Sequence, residues 1–352
     1  MRVAAAAAAA LALVLPLAAP AAAPATPPNR TIVGIFAQNM TQAIHAGVAN
    51  LAVLGDVPSL VRSWREHHVP GLFSGPAGGL SLSSGVWNYT TQLQPGWERA
   101  LEAMVAPVRP HLGTAIRGVL LGDEICCRNV ACVNDTLVPV SNKLRALLGP
   151  DALLWTNECY GLFYPEAVQV PPALDLISVD RYASYTPGAS GANLPPTPLL
   201  VARFPDQEPR GLTRPLASLG CARFLSDQEP RGLACGAGRE EVDVVRRTLE
   251  ATVFPKLRSH QKVLLIPGLF GCSNSTYLSL SEADGIAATK LAGYAAFMTS
   301  EPRIAGMVGW HFNDRKPSPQ QPGHPCDMSV GLTALPKSLA AMREIVGGAR
   351  LS

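Results

Sequence analysis

Short apolar runs alternate with amphipathic stretches along most of the chain. Strands of a parallel sheet covered on both faces are apolar throughout, whereas the helices between them keep one polar face. Eight runs fit such strands, at 31–37, 49–55, 69–74, 116–122, 152–157, 174–180, 262–268 and 304–312. Eight parallel strands close a barrel, so we predict an α/β protein with a single-domain (β/α)8 TIM barrel. A doubly wound open sheet is the alternative, and the count of eight favours the barrel.

Helical periodicity occupies the stretches between these runs, at 41–47, 58–67, 96–112, 140–148, 239–259 and 281–300. Ser281 precedes Asp284 by three positions, which predicts a capping box at the start of the last helix. The connections after the third and sixth strands are long, as is common on the catalytic face of a barrel. The second connection, at about 186–238, repeats 202–212 as 222–233. We interpret it as a poorly ordered surface loop without chemistry.

The N-terminal residues predict export. Met1 and Arg2 precede an Ala-rich apolar run, and small residues at 21–25 suit cleavage, so we expect a signal peptide at 1–23 and the barrel at 24–352. A transmembrane helix is disfavoured because Pro16 and Pro20 interrupt a weakly apolar run. Sequons for N-glycosylation occur at Asn29, Asn39, Asn88, Asn134 and Asn274. We therefore expect a secreted or extracellular glycoprotein.

Composition narrows the classes of partner and cofactor. The eight cysteines favour disulfide bonds in an exported chain, and their spacing fits no zinc tetrad. The net charge of +3 forms no basic stripe, so we expect neither nucleic acid nor, after signal cleavage, a membrane as partner. Phosphate-binding and dinucleotide motifs are absent from the sequence, so we predict no cofactor and no metal. The sequence does not indicate an oligomeric state.

Two adjacent carboxylates form the most conspicuous candidate site. Asp123 and Glu124 directly follow the fourth apolar run, and reacting groups of barrel enzymes lie at the carboxyl ends of strands. Regular strand alternation predicts that Glu124 shares the face of Gly122, with Asp123 to the side. Glu124 could then donate a proton while an ionised carboxylate stabilises positive charge. The alternative is that Asp123 caps a helix or pairs with an arginine.

Further candidates follow other strands. Asp180 and Tyr182 share one side of strand six, although Asp180 could equally be a salt-bridge partner. Trp310 lies in the last apolar run, where its ring could stack against a sugar or pack in the core. The remaining candidate substrate-binding residues are Glu158, Tyr160, Asp314 and Asn39.

Gly122-Asp123-Glu124-Ile125 and the barrel layout resemble (β/α)8 glycoside hydrolases. The largest clan carries Asn-Glu after strand four and a nucleophilic Glu after strand seven, whereas residues 266–271 here contain no acid. β-N-Acetylhexosaminidases carry Asp-Glu after strand four and use the substrate's acetamido oxygen as nucleophile. This second resemblance implies Glu124 as acid/base, Asp123 orienting the acetamido group, Tyr182 bonding its oxygen and Trp310 walling the pocket.

These observations predict a secreted glycosidase-like barrel that acts on a carbohydrate. Glu124 is the predicted general acid/base, and Asp123 or Asp180 is the second carboxylate. A non-catalytic carbohydrate-binding or structural barrel that lacks the strand-seven nucleophile is the alternative. Another class of hydrolase or lyase on the same scaffold is a third hypothesis, because a fold does not determine a function.

Overall fold

Eight parallel strands form a nearly closed barrel in the computed structural model. It describes residues 31–36, 40–75, 92–126, 130–159, 162–163, 165, 167–180, 237–269, 271–272, 279–310 and 329–351. The barrel strands are β1 (Ile32–Phe36), β2 (Ala52–Leu54), β3 (Gly71–Phe73), β4 (Ile116–Asp123), β5 (Leu153–Cys159), β6 (Leu176–Asp180), β7 (Lys262–Leu265) and β9 (Ile304–Trp310). Each lies within or overlaps one predicted apolar run, which confirms the TIM-barrel prediction.

The strand order is β1-β9-β7-β6-β5-β4-β3-β2, and every adjacent pair in this order is parallel. The remaining joint, between β1 and β2, is made by a parallel bridge between Gly34 and Leu51. The N–H groups of Asn50 and Leu51 both donate to the carbonyl of Val33, at 2.8 and 3.2 Å. These contacts bring the first two strands together and nearly close the sheet on itself.

Helices surround the barrel. They are α1 (Met40–His45), α2 (Val57–His67), α3 (Trp97–Val105), α4 (Val138–Leu148), α5 (Ala237–Thr248), α6 (Leu280–Ser300) and α7 (Pro336–Leu351). One π-helical and one 3-10 turn continue α5 to Lys256, so the predicted 239–259 segment is a helix with an irregular end. Two further short strands, β8 (Gly271–Cys272) and β10 (Ser329–Val330), pair antiparallel with each other.

Side chains alternate between two apolar cores. Leu120 of β4 and Trp155 of β5 belong to a small cluster inside the barrel, with Leu51, Val53, Leu72, Leu176, Leu264, Ile266 and Val308. Val119, Leu121 and Leu154 belong to the larger cluster between strands and helices. The continuous apolar runs of the sequence follow from this arrangement, since both faces of each strand are covered.

The start of α6 differs from the predicted capping box. Ser279, two residues before the predicted cap, accepts a hydrogen bond from the N–H of Glu282, whose carboxylate accepts the N–H of Ser279 at 2.8 Å. Asp284 is instead buried and accepts the N–H groups of Lys337 and Ser338, both at 2.9 Å. The predicted Ser281 cap is wrong because Asp284 binds the N-terminal turn of α7.

An ion pair is buried between α5 and α6. The Lys290 Nζ lies 2.7 Å from the Glu241 Oε2, and both side chains are almost fully buried. The Tyr294 hydroxyl donates to the other oxygen of Glu241 at 3.2 Å. The two opposite charges compensate each other within the helical layer, where an unpaired charge would be strongly destabilising.

Within the described residues, no helix is both long enough and apolar enough to cross a bilayer. The segment 1–30 and the duplicated segment 202–233 lie outside the described part of the chain.

Candidate active site

The structure describes the side chains of four predicted site residues. These are Asp123, Glu124, Glu158 and Trp310, while Asp180 is described in its backbone alone. Asn39, Tyr160, Tyr182 and Asp314 lie outside the described residues. The described candidates lie at or near the carboxyl ends of β4, β5 and β9, which point to one rim of the barrel.

A β-bulge at the end of β4 changes which carboxylate faces the barrel interior. Leu120 pairs with Trp155, but the next paired residues are Asp123 and Asn157, so three steps along β4 match two along β5. An extra residue reverses the alternation of side chains beyond the bulge. Asp123 therefore shares the interior face with Leu120, Trp155 and Asn157. The prediction that Glu124 continues the face of Gly122, with Asp123 to the side, is wrong because it assumed a regular strand.

Asn157 holds the Asp123 carboxylate. Its Nδ2 donates to the Asp123 Oδ1 at 2.6 Å, and its Oδ1 accepts the Ser178 hydroxyl, also at 2.6 Å. The Ser178 oxygen accepts the indole N–H of Trp155 at 2.8 Å. All members of this chain of hydrogen bonds except Asp123 are buried. Because their positions are fixed by packing and by one another, they fix the orientation of the Asp123 carboxylate.

This polar chain escaped sequence analysis, although a signal for it exists. Trp155, Asn157 and Ser178 occupy interior-facing positions of neighbouring strands. Polar residues inside apolar strand runs are unusual, because a buried polar group needs a hydrogen-bonding partner. Asn157 and Ser178 were therefore recognisable as a pair only once the register of β5 against β6 was known.

Glu124 lies at a sharp turn after β4. Its φ is +52°, a left-handed backbone conformation that is uncommon for a residue with a side chain. Its N–H donates to the carbonyl of Asn157 at 2.8 Å, so the first residue of the turn is hydrogen-bonded to β5. Both Asp123 and Glu124 are exposed to solvent. The arrangement presents two consecutive carboxylates at the barrel rim, one of them fixed by Asn157.

Glu158 lies behind this turn instead of on the interior face. Its side chain is 0% exposed and shares the outward face of β5 with Thr156. The Oε2 accepts the N–H of Cys126 at 2.9 Å, and the Oε1 accepts the Thr156 hydroxyl at 3.1 Å. The predicted role of Glu158 as a substrate-binding residue does not fit this burial, because a side chain without accessible surface cannot touch a sugar.

Burial raises the pKa of the Glu158 carboxyl from 4.5 to about 8. The hydrogen bonds from Cys126 and Thr156 oppose this shift, and the negative charges of Asp123 and Glu124 add to it. At neutral pH the group is therefore mainly protonated.

A disulfide bond joins Cys126 to Cys132 and closes the segment that follows the carboxylates. Both half-cystines are buried. The bond ties the turn after β4 to the start of the helical segment that leads into α4, so the turn is anchored at its far side. This agrees with the prediction of disulfides, and the side chains of the other six cysteines lie outside the described residues.

Aromatic rings line the interior near the same rim. The ring of Phe36 lies 5.2 Å from that of Trp310 and 5.9 Å from that of Trp155, measured between centroids. Trp155 is fully buried, whereas Trp310 is partly exposed. Trp310 packs against the interior cluster and presents some of its surface to solvent, and its role as a sugar platform stays a prediction.

The ends of β6 and β7 differ in their carboxylates. Asp180 ends β6, pairs with Cys159 and has the same parity as Ser178, which places its backbone at the rim. The residues described after β7 are Ile266, Pro267, Gly268 and Leu269, none of which is acidic. No group of three or more His, Cys, Asp or Glu side chains in the described residues could hold a metal ion.

Sequence comparisons give no family for this chain. No family profile matches it, and no curated protein matches it.

The fold, by contrast, resembles solved structures. A β-glucuronidase of Ruminococcus gnavus superposes with a TM-score of 0.52 and 12% identity, over 92% of this chain and 50% of that one. A β-glucuronidase of Faecalibacterium prausnitzii gives 0.50 and 13%, over 91% and 49%. One of Dictyoglomus thermophilum gives 0.50 and 10%, over 90% and 50%. The chain spans about half the length of these enzymes, and such identities show the fold alone.

These similarities support the (β/α)8 barrel fold. They give no support to the finer resemblance between Gly122-Asp123-Glu124-Ile125 and the motif of β-N-acetylhexosaminidases.

Proposed function

We propose that this protein is a glycoside hydrolase whose active site lies at the barrel rim formed by the carboxyl ends of the strands. Glu124 is the general acid/base and Asp123 is the second carboxylate. The observation that carries the proposal is the hydrogen bond from Asn157 to Asp123, which holds one of two adjacent carboxylates on the interior face at the end of β4. Paired carboxylates at a barrel rim are the groups that glycosidic cleavage requires.

The chemistry needs one acid and one negative charge. Glu124 protonates the departing glycosidic oxygen, which lowers the barrier to breaking the bond to the anomeric carbon. Positive charge that develops on the sugar ring is stabilised by the carboxylate of Asp123. The N–H that Asn157 donates stabilises the negative charge of Asp123 and fixes its direction. The two neighbours thereby receive different roles from their different surroundings.

The attacking group is proposed to differ from that of enzymes with a strand-seven nucleophile. No acid follows β7 among residues 266–269, so the nucleophile is an activated water, a group of the substrate or Asp180. Asp180 qualifies because its backbone lies at the same rim, two residues beyond Ser178 on β6. Trp310 would stack against the sugar with its exposed surface, and Asn39, Tyr160, Tyr182 and Asp314 remain proposed substrate-binding residues.

A panel of 4-nitrophenyl glycosides tests the proposal. It should contain β-glucuronides, because the superposed proteins are β-glucuronidases, together with neutral hexosides and N-acetylhexosaminides. Wild-type protein should hydrolyse one class. On an alkyl glycoside of that sugar, Glu124→Gln should lower kcat by at least about 100-fold, the usual contribution of a general acid. Glu344→Gln on the exposed surface of α7 is the matched control. Equal activity of Glu124→Gln and wild type would contradict the assignment.

A carbohydrate-binding barrel without catalysis is the second candidate. It is favoured by the non-acidic segment after β7 and by the partly exposed Trp310 next to Phe36. In that case titration with the panel's sugars gives saturable binding that Trp310→Ala weakens, while no glycoside is cleaved.

We also propose that the protein is exported with its signal peptide 1–23 removed. The Cys126–Cys132 disulfide supports an oxidising compartment, and Asn134 of one sequon is exposed. The mature N-terminus and the glycan mass of protein secreted from eukaryotic cells test this. An intact N-terminus on cytosolic protein would contradict it.

A further inference from the structure

We infer that Glu158 is a positioning residue for the proposed site: by accepting the N–H of Cys126, its buried carboxyl fixes the turn that carries Asp123 and Glu124. This inference rests on the proposed function for its catalytic consequence. The geometric part stands without it, because the hydrogen bond joins β5 directly to the turn after β4.

Beyond Asp123, three of the contacts that the described residues make hold the turn in place, and two of them are made by Asn157 and Glu158 of β5. The N–H of Glu124 donates to the carbonyl of Asn157, at the position before Glu158. The N–H of Cys126 donates to Glu158 itself. The disulfide from Cys126 to Cys132 then secures the far end. Only the second attachment is made by a side chain that can change its charge.

Loss of this attachment would release the turn locally. The left-handed conformation of Glu124 is costly for a residue with a side chain, and it persists only where surrounding contacts impose it. Glu158 supplies such a contact two residues later, at a carboxyl with no exposed surface. Without that acceptor, the buried N–H of Cys126 has to find water, and the turn relaxes away from the geometry that aligns Glu124 with Asp123.

The same contact makes the turn sensitive to pH. Protonated Glu158 can donate to the Thr156 oxygen while its other oxygen keeps the Cys126 N–H. An ionised Glu158 would instead be a buried charge, and the charged groups that act on it, Asp123 and Glu124, are both negative. Exposure to water relieves that repulsion, so ionisation favours opening of the turn.

Three variants separate this role from a general effect on folding. Glu158→Gln keeps an acceptor for Cys126 and places an amide N–H at Thr156, so it mimics the protonated acid. Glu158→Leu removes the acceptor at similar size. Thr156→Val removes the other hydrogen bond of the same carboxyl but leaves the contact with Cys126. Glu344→Gln, on the exposed surface of α7, is the control for the same chemical change away from the site.

The first measurement is hydrogen exchange at the Cys126 amide, which requires no activity. At pH 6, and after correction for intrinsic exchange, Glu158→Leu should exchange at least 10-fold faster than wild type. Glu158→Gln, Thr156→Val and Glu344→Gln should stay within threefold. Equal protection in Glu158→Leu and wild type would overturn the inference, whether or not the protein is a hydrolase.

The second measurement is the pH profile of kcat on the substrate found with the glycoside panel. The ratio of kcat for wild type to kcat for Glu158→Gln should fall as pH rises through about 8, because deprotonation of Glu124 affects both proteins alike and only wild type can ionise Glu158. Identical alkaline limbs in both proteins would overturn the positioning role even if hydrolysis is confirmed.

Discussion

At the scale of single residues, the site depends on polar side chains that face the barrel interior. Asp123 and Glu124 were recognisable from sequence as two acids at the end of an apolar run. The sequence does not reveal which of the two acids faces the interior. The β-bulge that decides this arises from the pairing of β4 with β5, and the sequence of β4 alone does not predict it. The hydrogen bond from Asn157 identifies Asp123 as the acid that faces the interior.

Removing the Asn157 amide tests this contact. Asn157→Ala removes the N–H that Asn157 donates to Asp123, and a hydrogen bond to a charged group contributes about 1.5–3 kcal/mol. We expect kcat/KM to fall by about 10- to 100-fold. Asn142→Ala, at an exposed position of α4, is the control. Unchanged kinetics for Asn157→Ala would show that Asp123 needs no orientation from β5.

The raised pKa of Glu158 makes the free energy of unfolding depend on pH. Its folded-state pKa of about 8 exceeds the ordinary 4.5, so between these values the folded protein holds a proton that the unfolded chain has lost. The stabilising contribution is complete below pH 4.5 and is lost as pH rises to about 8, at about 1.4 kcal/mol per pH unit.

Urea unfolding of wild type and Glu158→Gln between pH 4.5 and 9 measures this contribution. The free energy of unfolding of wild type should decrease relative to the variant up to about pH 8 and then run parallel to it. A constant difference over the whole range would mean that Glu158 titrates normally.

At the scale of elements, helix ends show how neighbouring segments decide between similar signals. Ser279 precedes Glu282 by three positions, and Ser281 precedes Asp284 by three, so both pairs satisfy the capping-box pattern. The structure uses the first, because Asp284 accepts N–H groups from the start of α7. Sequence located this helix well but not its first residue, since that choice depends on a helix about fifty residues later.

Two serine variants compare these caps directly. Ser279→Ala should lower the free energy of unfolding by about 1 kcal/mol, because it removes the side chain that caps the N–H of Glu282. Ser281→Ala should change it by less than about 0.5 kcal/mol, as is usual for an exposed position without such a contact. Thermal or urea denaturation of both variants measures these changes in the free energy of unfolding. A larger effect at Ser281 would restore the cap predicted from sequence.

At the scale of the whole molecule, closure of the barrel depends on close approach of strand backbones. A Cβ at Gly306 of β9 would lie 1.8 Å from the carbonyl oxygen of Ile32 in β1. That is the joint next to the β1–β2 bridge, so it lies where the sheet closes. The eight strands were predictable because burial on both faces leaves apolar runs. The close approach of β9 to β1 was not predictable, because it depends on two strands that lie far apart in the sequence.

Alanine substitutions test this joint. Gly306→Ala forces β9 away from β1, and we expect a loss of about 3 kcal/mol or more in the free energy of unfolding. Gly348→Ala in α7 meets no atom within 4 Å and should stabilise the protein by about 0.5–1 kcal/mol. Denaturant melts of both proteins give the comparison. Wild-type stability of Gly306→Ala would show that the joint tolerates separation.

Glu124 is the proton donor on which the proposed function depends most, and the dependence of the rate on the leaving group tests this role directly. Wild type and Glu124→Gln should be compared on two glycosides of the preferred sugar, one with a dinitrophenyl and one with an alkyl leaving group. A general acid is needed only by the poor leaving group. We predict that the variant loses at least about 100-fold in kcat/KM on the alkyl glycoside and less than about 10-fold on the dinitrophenyl glycoside. Equal losses on both substrates, or none on either, would contradict the account.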